Sequence, residues 1–324
     1  MKKTLIIVLV LALALAMAMA GCTAQAAKSN AKIGIIQYVE HVALDSARDG
    51  FIKALSDKGY VDGKNITIDL QNAQADQSNL STISDRFVSN KVDLVLAIAT
   101  PAAQSIAGKT TTIPILATAI TDFVSAKLVN SNEAPGGNVS GTTDMNPIKE
   151  QIDLLVKLVP NAKTVGVIYT SSEDNSILQA AIAKKAIEAL GLKYIEVTVT
   201  NSNDVQQAAQ SIVGKCDALY IPTDNVLASS MPVIHGVTLE SKTPVICGES
   251  GMVVNGGLAT LGINYTDLGY TTGLMAVKIL KGEAKTATMP IESASGFDFA
   301  INGTVAAEIG LTIPKDLEQY IIKK

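Results

Sequence analysis

The sequence predicts an α/β protein of two similar lobes, each built on a parallel sheet, and three observations lead there. Short apolar runs of strand length alternate with segments whose apolar residues recur at helical spacing. The alternation begins again near the middle of the chain, where TVGVIYT echoes KIGIIQY and CDALYIPT echoes VDLVLAIAT. Several apolar runs end in Ser, Thr, Asp or Asn just where a helical pattern starts, the signature of a helix N-terminus whose backbone N–H groups need an acceptor. Strands alternating with one-sided helices form parallel sheets covered on both faces. Repetition at a period above ~100 residues indicates duplicated domains and not a solenoid.

The ends of the chain are distinct from this body. MKKTLIIVLVLALALAMAMAGC combines two lysines, an uncharged run from Thr4 to Ala20 and small residues before Cys22. Residues 1–21 therefore read as a secretory signal, with an uncleaved membrane anchor as the competing reading. Residues 22–31 are small and polar and suit a short flexible tether. No later segment approaches membrane-spanning length.

From Lys32 the elements follow in order. KIGIIQY is a strand; VALDSARDGFIKALSDKG is a helix with Leu44, Ala47, Phe51, Ala54 and Leu55 on one face; NITIDLQNA is a strand. SNLSTISDRFVSN is a helix through Leu80, Ile83, Phe87 and Val88. DLVLAIAT, helix PAAQSIAG, IPILATAI and a closing strand in NVSGTTD complete the first unit. Asn146-Pro147 reads as an N-cap and N1 proline opening a helix through Ile148, Ile152, Leu155, Val156 and Val159. TVGVIYT, a helix from Glu173 to Leu190, the strand and helix of KYIEVTVTNSNDVQQAAQSIVG, and CDALYIPTDN repeat the pattern.

In open α/β sheets the ligand crevice lies beyond the carboxyl ends of the strands. Two sheets facing each other by those ends would direct every post-strand residue into one cleft. The candidates are Gln37, Tyr38, Glu40 and His41; Thr100, Ala102, Ala103 and Gln104; Thr121 and Asp122; Tyr169, Ser171, Ser172 and Asn175; Thr223, Asp224 and Asn225; and Gly248, Glu249 and Ser250. Hydroxyls and amides predominate, which is binding chemistry. Hydroxyls and helix N-terminal amides at Thr100–Ala103 suit a carboxylate, and Asp224 suits an ammonium, so an α-amino acid would bridge the lobes. Thr100 and Asp224 are equally ordinary N-caps, and both readings stand at this level. Tyr38 and Tyr169 each follow the first strand of a lobe and would sandwich a planar apolar side chain, or else serve as rim residues.

Other function classes find little support. The chain carries 26 basic and 30 acidic residues, for a net charge of −4, and no basic run beyond Lys2-Lys3, so nucleic acid is not an expected partner. His41 and His235 have no metal-ligand spacing, and no P-loop, GxGxxG or GxSxG motif occurs; no metal, cofactor or catalytic residue is expected. There is no Trp and aromatics make up 4%, which argues against the ring-stacking sites of sugar binders. Cys216 and Cys247 flank neighbouring strands at different heights, too far apart for a disulfide, and read as small hydrophobes.

The segment ending in Cys22 resembles a bacterial lipoprotein lipobox, with Met19 where the pattern usually has Leu. Together with IGIIQYVEHVALDSARDGF, ATPAAQS, ATAITDFVSAKLV, IPTDN and GINYTDLGYTTGLMAVKILKGE, it resembles the tryptophan-binding-like substrate-binding lipoproteins of ABC importers, from about Lys32 to Pro314. Phe123 departs from the Pro common in relatives. The resemblance implies a type I periplasmic-binding-protein architecture, with lobe 1 at 32–146 plus about 266–288 and lobe 2 at 147–265 plus about 289–324. It implies a monomer held outside the cell membrane by lipid on Cys22, closing on an aromatic or large apolar L-amino acid and docking on a permease with its ATPase. A ligand-sensing lipoprotein signalling to a membrane receptor, or a carrier of a non-amino-acid solute, is the alternative.

Overall fold

The computed structural model describes residues 30–294 and 296–322, so the signal, Cys22 and most of the tether lie outside the described residues. The first lobe is a six-stranded sheet in the order β11-β5-β4-β3-β1-β2. Its strands are β1 (Ala31–Gln37), β2 (Ile66–Asn72), β3 (Leu94–Ile98), β4 (Ile115–Ile120), β5 (Val139–Thr143) and the short β11 (Glu292–Ser293), all parallel. Helices α1 (Val42–Asp57), α2 (Gln77–Ser89) and α3 (Thr100–Ala107) connect them. The apolar faces read from the sequence are the buried ones: Leu44, Ala47, Phe51, Ala54 and Leu55 on α1, and Leu80, Ile83 and Phe87 on α2.

The second sheet runs β12-β10-β9-β8-β6-β7, parallel except for β12. Here α4 (Ile148–Leu158) leads into β6 (Thr164–Thr170), α5 (Asp174–Ala189), β7 (Lys193–Val199), α6 (Val205–Val213), β8 (Ala218–Ile221), α7 (Asn225–Ser229), α8 (Met231–Glu240), β9 (Val245–Cys247), α9 (Ser250–Val254) and β10 (Ala259–Gly262). Both faces of this sheet are covered. Along β8, Ala218 and Tyr220 enter one core while Leu219 and Ile221 enter the other, the period-2 alternation of a central strand. Cys247 pairs in register with Ile221 and is buried; Cys216 lies outside the strand, and both are free thiols.

After β10 the chain crosses back as α10 (Tyr265–Leu280), which lies along α1, and then reaches β11 before recrossing to β12 (Asp298–Ile301) and α11 (Gly303–Ile309). Met289 is part of the first lobe's core and β11 pairs with β5, so the return segment extends from Tyr265 to Ser293 and does not end near 288. Glycines permit the α1–α10 approach: a Cβ on Gly269 would stand 1.8 Å from the Ala47 carbonyl oxygen. That packing fixes Tyr265, the first residue of α10, over the ends of the first lobe's strands. The start of α4 differs by one residue from expectation. Pro147 takes the N-cap place, and Asn146 stays in the extended crossing, donating its amide to the Asp144 carbonyl at 3.0 Å.

Candidate binding cleft

The carboxyl ends of both sheets face each other across a narrow cavity. The first lobe and its return segment contribute His41, Leu44, Ala119, Thr121, Asp144 and Tyr265; the second contributes Asn175, Thr223, Asp224, Asn225, Ala228, Glu249 and Met252. Backbone strain gathers at the first lobe's strand ends. Ala99 and Ala119 hold φ of 82° and 57°, and β4 and β5 slip register between Ala117 and Ile120. Such conformations cost about 1–3 kcal/mol each and persist where surrounding structure imposes them, commonly at ligand sites.

The two lobes differ in what they offer at their helix starts. Each cleft-facing helix of the second lobe is preceded by an acid: Glu173 before α5, Asp224 before α7 and Glu249 before α9. Asp224 accepts from Leu227 N (2.9 Å), Thr170 N (2.6 Å) and Thr170 Oγ1 (2.8 Å), so most of its lone pairs are already used. Glu173 leaves its own helix uncapped and reaches across to the start of α7, accepting from Val226 N (3.2 Å) and from the side-chain amides of Asn175 (3.2 Å) and Asn225. Glu249 accepts from Met252 N at 2.8 Å and from Gly251 N. In the first lobe, α1 and α3 begin at His41 and Thr100 with no side-chain cap.

Burial raises every one of these carboxyls. Asp144 is pushed up to about 6 by burial, only partly offset by the Tyr265 hydroxyl that donates to its Oδ2 at 2.7 Å. Glu249 rises to about 7 by burial, with Asp144's charge adding to it. Glu173 and Asp224 are both raised, by burial first, and for Glu173 next by Asp224's charge. Burial lowers His41 to about 4, so its ring is neutral at physiological pH. Among the described residues, no Lys or Arg lines the cavity.

Three lining residues carry a buried side-chain atom without a protein partner: His41 Nδ1, Asp144 Oδ1 and Asn175 Oδ1. Leaving such an atom unpaired costs about 1–3 kcal/mol. Their convergence marks a place where a bound molecule supplies the missing partners. Among the described residues, three polar contacts join the lobes: His41 Nε2 to Asn225 Oδ1 (3.3 Å), Gln179 Nε2 to Thr121 Oγ1 (3.2 Å) and Gln104 Nε2 to Asp174 Oδ2 (2.8 Å). The lobes are closed on each other.

Of the residues expected from sequence, His41, Thr121, Asn175, Thr223, Asp224, Asn225 and Glu249 line the cavity together. The others do not. Gln37 is buried and bonded to Asp45 and Arg48; Glu40 is exposed; Asp122 accepts from Ser125 N; Ser171 and Ser172 donate to the Val199 and Thr200 carbonyls. Thr100, Ala102 and Ala103 are buried at the start of α3, behind the lining. The expected tyrosine sandwich is not formed. Tyr38 is buried with its hydroxyl 3.4 Å from the Ala75 carbonyl, and Tyr169 turns toward Glu196 on the neighbouring β7. The reason is pleat alternation: Tyr169 falls on the face of β6 opposite to Ile168 and packs beside the core covered by α4 and α5. The aromatic that does line the cavity is Tyr265, and Asp144 lies beside it. Both follow strands, β10 and β5, that lead into crossings, and the strand-end rule applied to NVSGTTD and LGINYTD would have found them.

Two Rossmann-like lobes, three crossings and a closed polar cleft define a type I periplasmic solute-binding architecture. The family model of ABC transporter substrate binding proteins matches residues 32–323, and the chain belongs to that family: it is an extracytoplasmic solute-binding protein of an ABC transporter and not an enzyme. It is 46% identical over 276 residues to a tyrosine-binding protein of Clostridioides difficile, covering 85% of this chain and 80% of that one. A solved domain from Streptococcus pneumonia in complex with L-Trp is 40% identical, with a TM-score of 0.87 over 91% of this chain and all of that one. The ligand-free, open structure of an adhesive substrate binding protein from Clostridium difficile is 46% identical, yet its TM-score is only 0.68 over 91% of this chain and 99% of that one. Higher identity with poorer superposition is what rotation of whole lobes produces, and it agrees with the closed arrangement described above. Solute-binding proteins only 15% identical share the fold alone, at TM-scores of 0.61 to 0.63.

Proposed function

We propose that this protein captures an aromatic or large apolar L-amino acid in the closed cleft and delivers it to a membrane permease and its ATPase, while lipid on Cys22 holds it at the cell surface. The observation that carries the ligand reading is the imbalance of the cavity: buried acceptors without partners, raised carboxyls and no cation. An α-ammonium group supplies three donors and a positive charge at once. Asp144 is its best seat, because Oδ1 is buried and unpartnered, whereas the oxygens of Asp224 are committed to Thr170 and Leu227. Leu44, Ala228 and Met252 supply apolar wall for a side chain. The tyrosine-binding relative and the L-Trp complex support the same class.

A thermal-shift screen of the amino acids, sugars and nucleosides tests this, since a ligand at 100 times its Kd stabilises by about 2.7 kcal/mol. Aromatic or large apolar L-amino acids are expected to raise the Tm. A response confined to sugars or nucleosides would sink the amino-acid reading, and a response to glutamate or arginine alone would sink the apolar side-chain part.

A further inference from the structure

His41, like Thr121, is a first-lobe residue that touches both the second lobe and the cavity. Its tautomer follows from its neighbours. The Asn225 side-chain amide nitrogen donates to Glu173, which fixes the Asn225 carbonyl oxygen as the atom facing His41. His41 Nε2 therefore carries the proton and donates to Asn225 Oδ1 at 3.3 Å. A neutral ring protonated at Nε2 leaves Nδ1 as a bare acceptor, and this Nδ1 is buried and without a partner in a residue that lines the cavity. Asn175 repeats the arrangement at the same oxygen of Glu173. Its amide nitrogen donates to Glu173 (3.2 Å) and to the Thr223 carbonyl (3.2 Å), and its Oδ1 is buried and unpartnered. The cavity thus presents two acceptors, His41 Nδ1 and Asn175 Oδ1, organised around Glu173, in addition to Asp144 Oδ1, which is organised by Tyr265.

We propose that His41 is a specificity-determining residue: its Nδ1 accepts a hydrogen bond from a donor on the ligand's side chain, so the cleft selects an aromatic amino acid with a ring N–H or O–H over one without. This deepens the amino-acid reading and rests on the ammonium being held at Asp144. A site whose buried acceptors match a ligand donor rejects the analogue lacking it, because the acceptors are then left unpaired. Because the same ring holds Asn225, the contact exists only when the lobes are closed, and the bound donor and the second lobe are read by one side chain.

The test is calorimetric binding of L-tyrosine, L-tryptophan and L-phenylalanine to the wild type, His41→Gln and His41→Asn. The Gln amide reaches the place of Nε2 and can still donate to Asn225, but leaves no acceptor at Nδ1. The Asn side chain places an amide near Nδ1 and gives up the cross-lobe bond. The wild type is expected to prefer tyrosine or tryptophan over phenylalanine by tenfold or more. His41→Gln should lose about tenfold for the preferred ligand and less than threefold for phenylalanine, and His41→Asn should keep more of the preference. Equal losses for all three ligands in His41→Gln, full affinity in His41→Gln, or a wild type that binds all three alike would each overturn the proposal. Failure of every aromatic amino acid to bind the wild type would instead overturn the amino-acid reading on which it rests.

Discussion

Replacing Asp144 by Asn should weaken ligand binding and stabilise the empty protein, two effects of opposite sign. The carboxyl is buried, one oxygen held by Tyr265 and the other unpartnered, and its pKa is raised from 3.8 to about 6. A raised acid pKa means the folded state holds its proton more tightly than the unfolded chain. The resulting penalty is absent below the unfolded value, grows as pH rises, and is complete above about 6. It corresponds to an upper bound of roughly 3 kcal/mol at neutral pH. Asn keeps an acceptor for the Tyr265 hydroxyl and removes the charge, so ligand-free Asp144→Asn should melt higher at pH 7.5. The expected rise is about 2–4 °C per kcal/mol recovered in a protein of a few hundred residues, and the gain should shrink toward zero as the pH is lowered to 4. The same change removes the charged partner of the ammonium, worth about 1.5–3 kcal/mol, so Kd should rise by roughly 10 to 150 fold. Calorimetry and pH-dependent melting on the same sample check both. A variant that binds as tightly as wild type would refute Asp144 as the ammonium seat, and one that is less stable at pH 7.5 but not at pH 4 would refute the sign of the electrostatic reasoning.

Gly269→Ala should destabilise the fold by about 1–3 kcal/mol or more, because the added methyl meets the Ala47 carbonyl at 1.8 Å and forces α1 and α10 apart; an unchanged denaturation midpoint would show that the helices give way freely. Asp224→Asn should lower the pKa of Glu173, whose charged form is opposed by its Asp224 neighbour, and an NMR titration of the Glu173 carboxyl that does not move would remove that coupling. Cys22→Ser should abolish incorporation of labelled palmitate into the protein in cells; continued labelling would rule out lipid at Cys22.

The fold was legible because it rests on local regularities. The 3.6-residue spacing of Leu44, Ala47, Phe51 and Leu55, the apolar strand runs, and the polar residues that end them are each readable within a short window, and their repetition implied the second lobe and the shared cleft. Thr121, Asn175, Thr223, Asp224, Asn225 and Glu249 followed from the single rule that ligands sit beyond strand ends. What sequence could not decide was which of several adjacent polar side chains turns inward. Tyr169 is lost to the cleft because the pleat of β6 sends it toward Glu196, and Gln37 because Asp45 and Arg48, one helix away, hold its amide. Asp144 and Tyr265 come together as α10 seats on α1 through close approaches at Gly50, Gly269 and Gly273, bringing residues 121 positions apart to 2.7 Å. His41 gains its tautomer from Asn225 on the opposite lobe. Composition and periodicity, being local, determined the two-lobed α/β architecture and the strand ends where its cleft lies; the direction and protonation of the groups inside it are set by long-range packing and lobe closure, which only the tertiary structure decides.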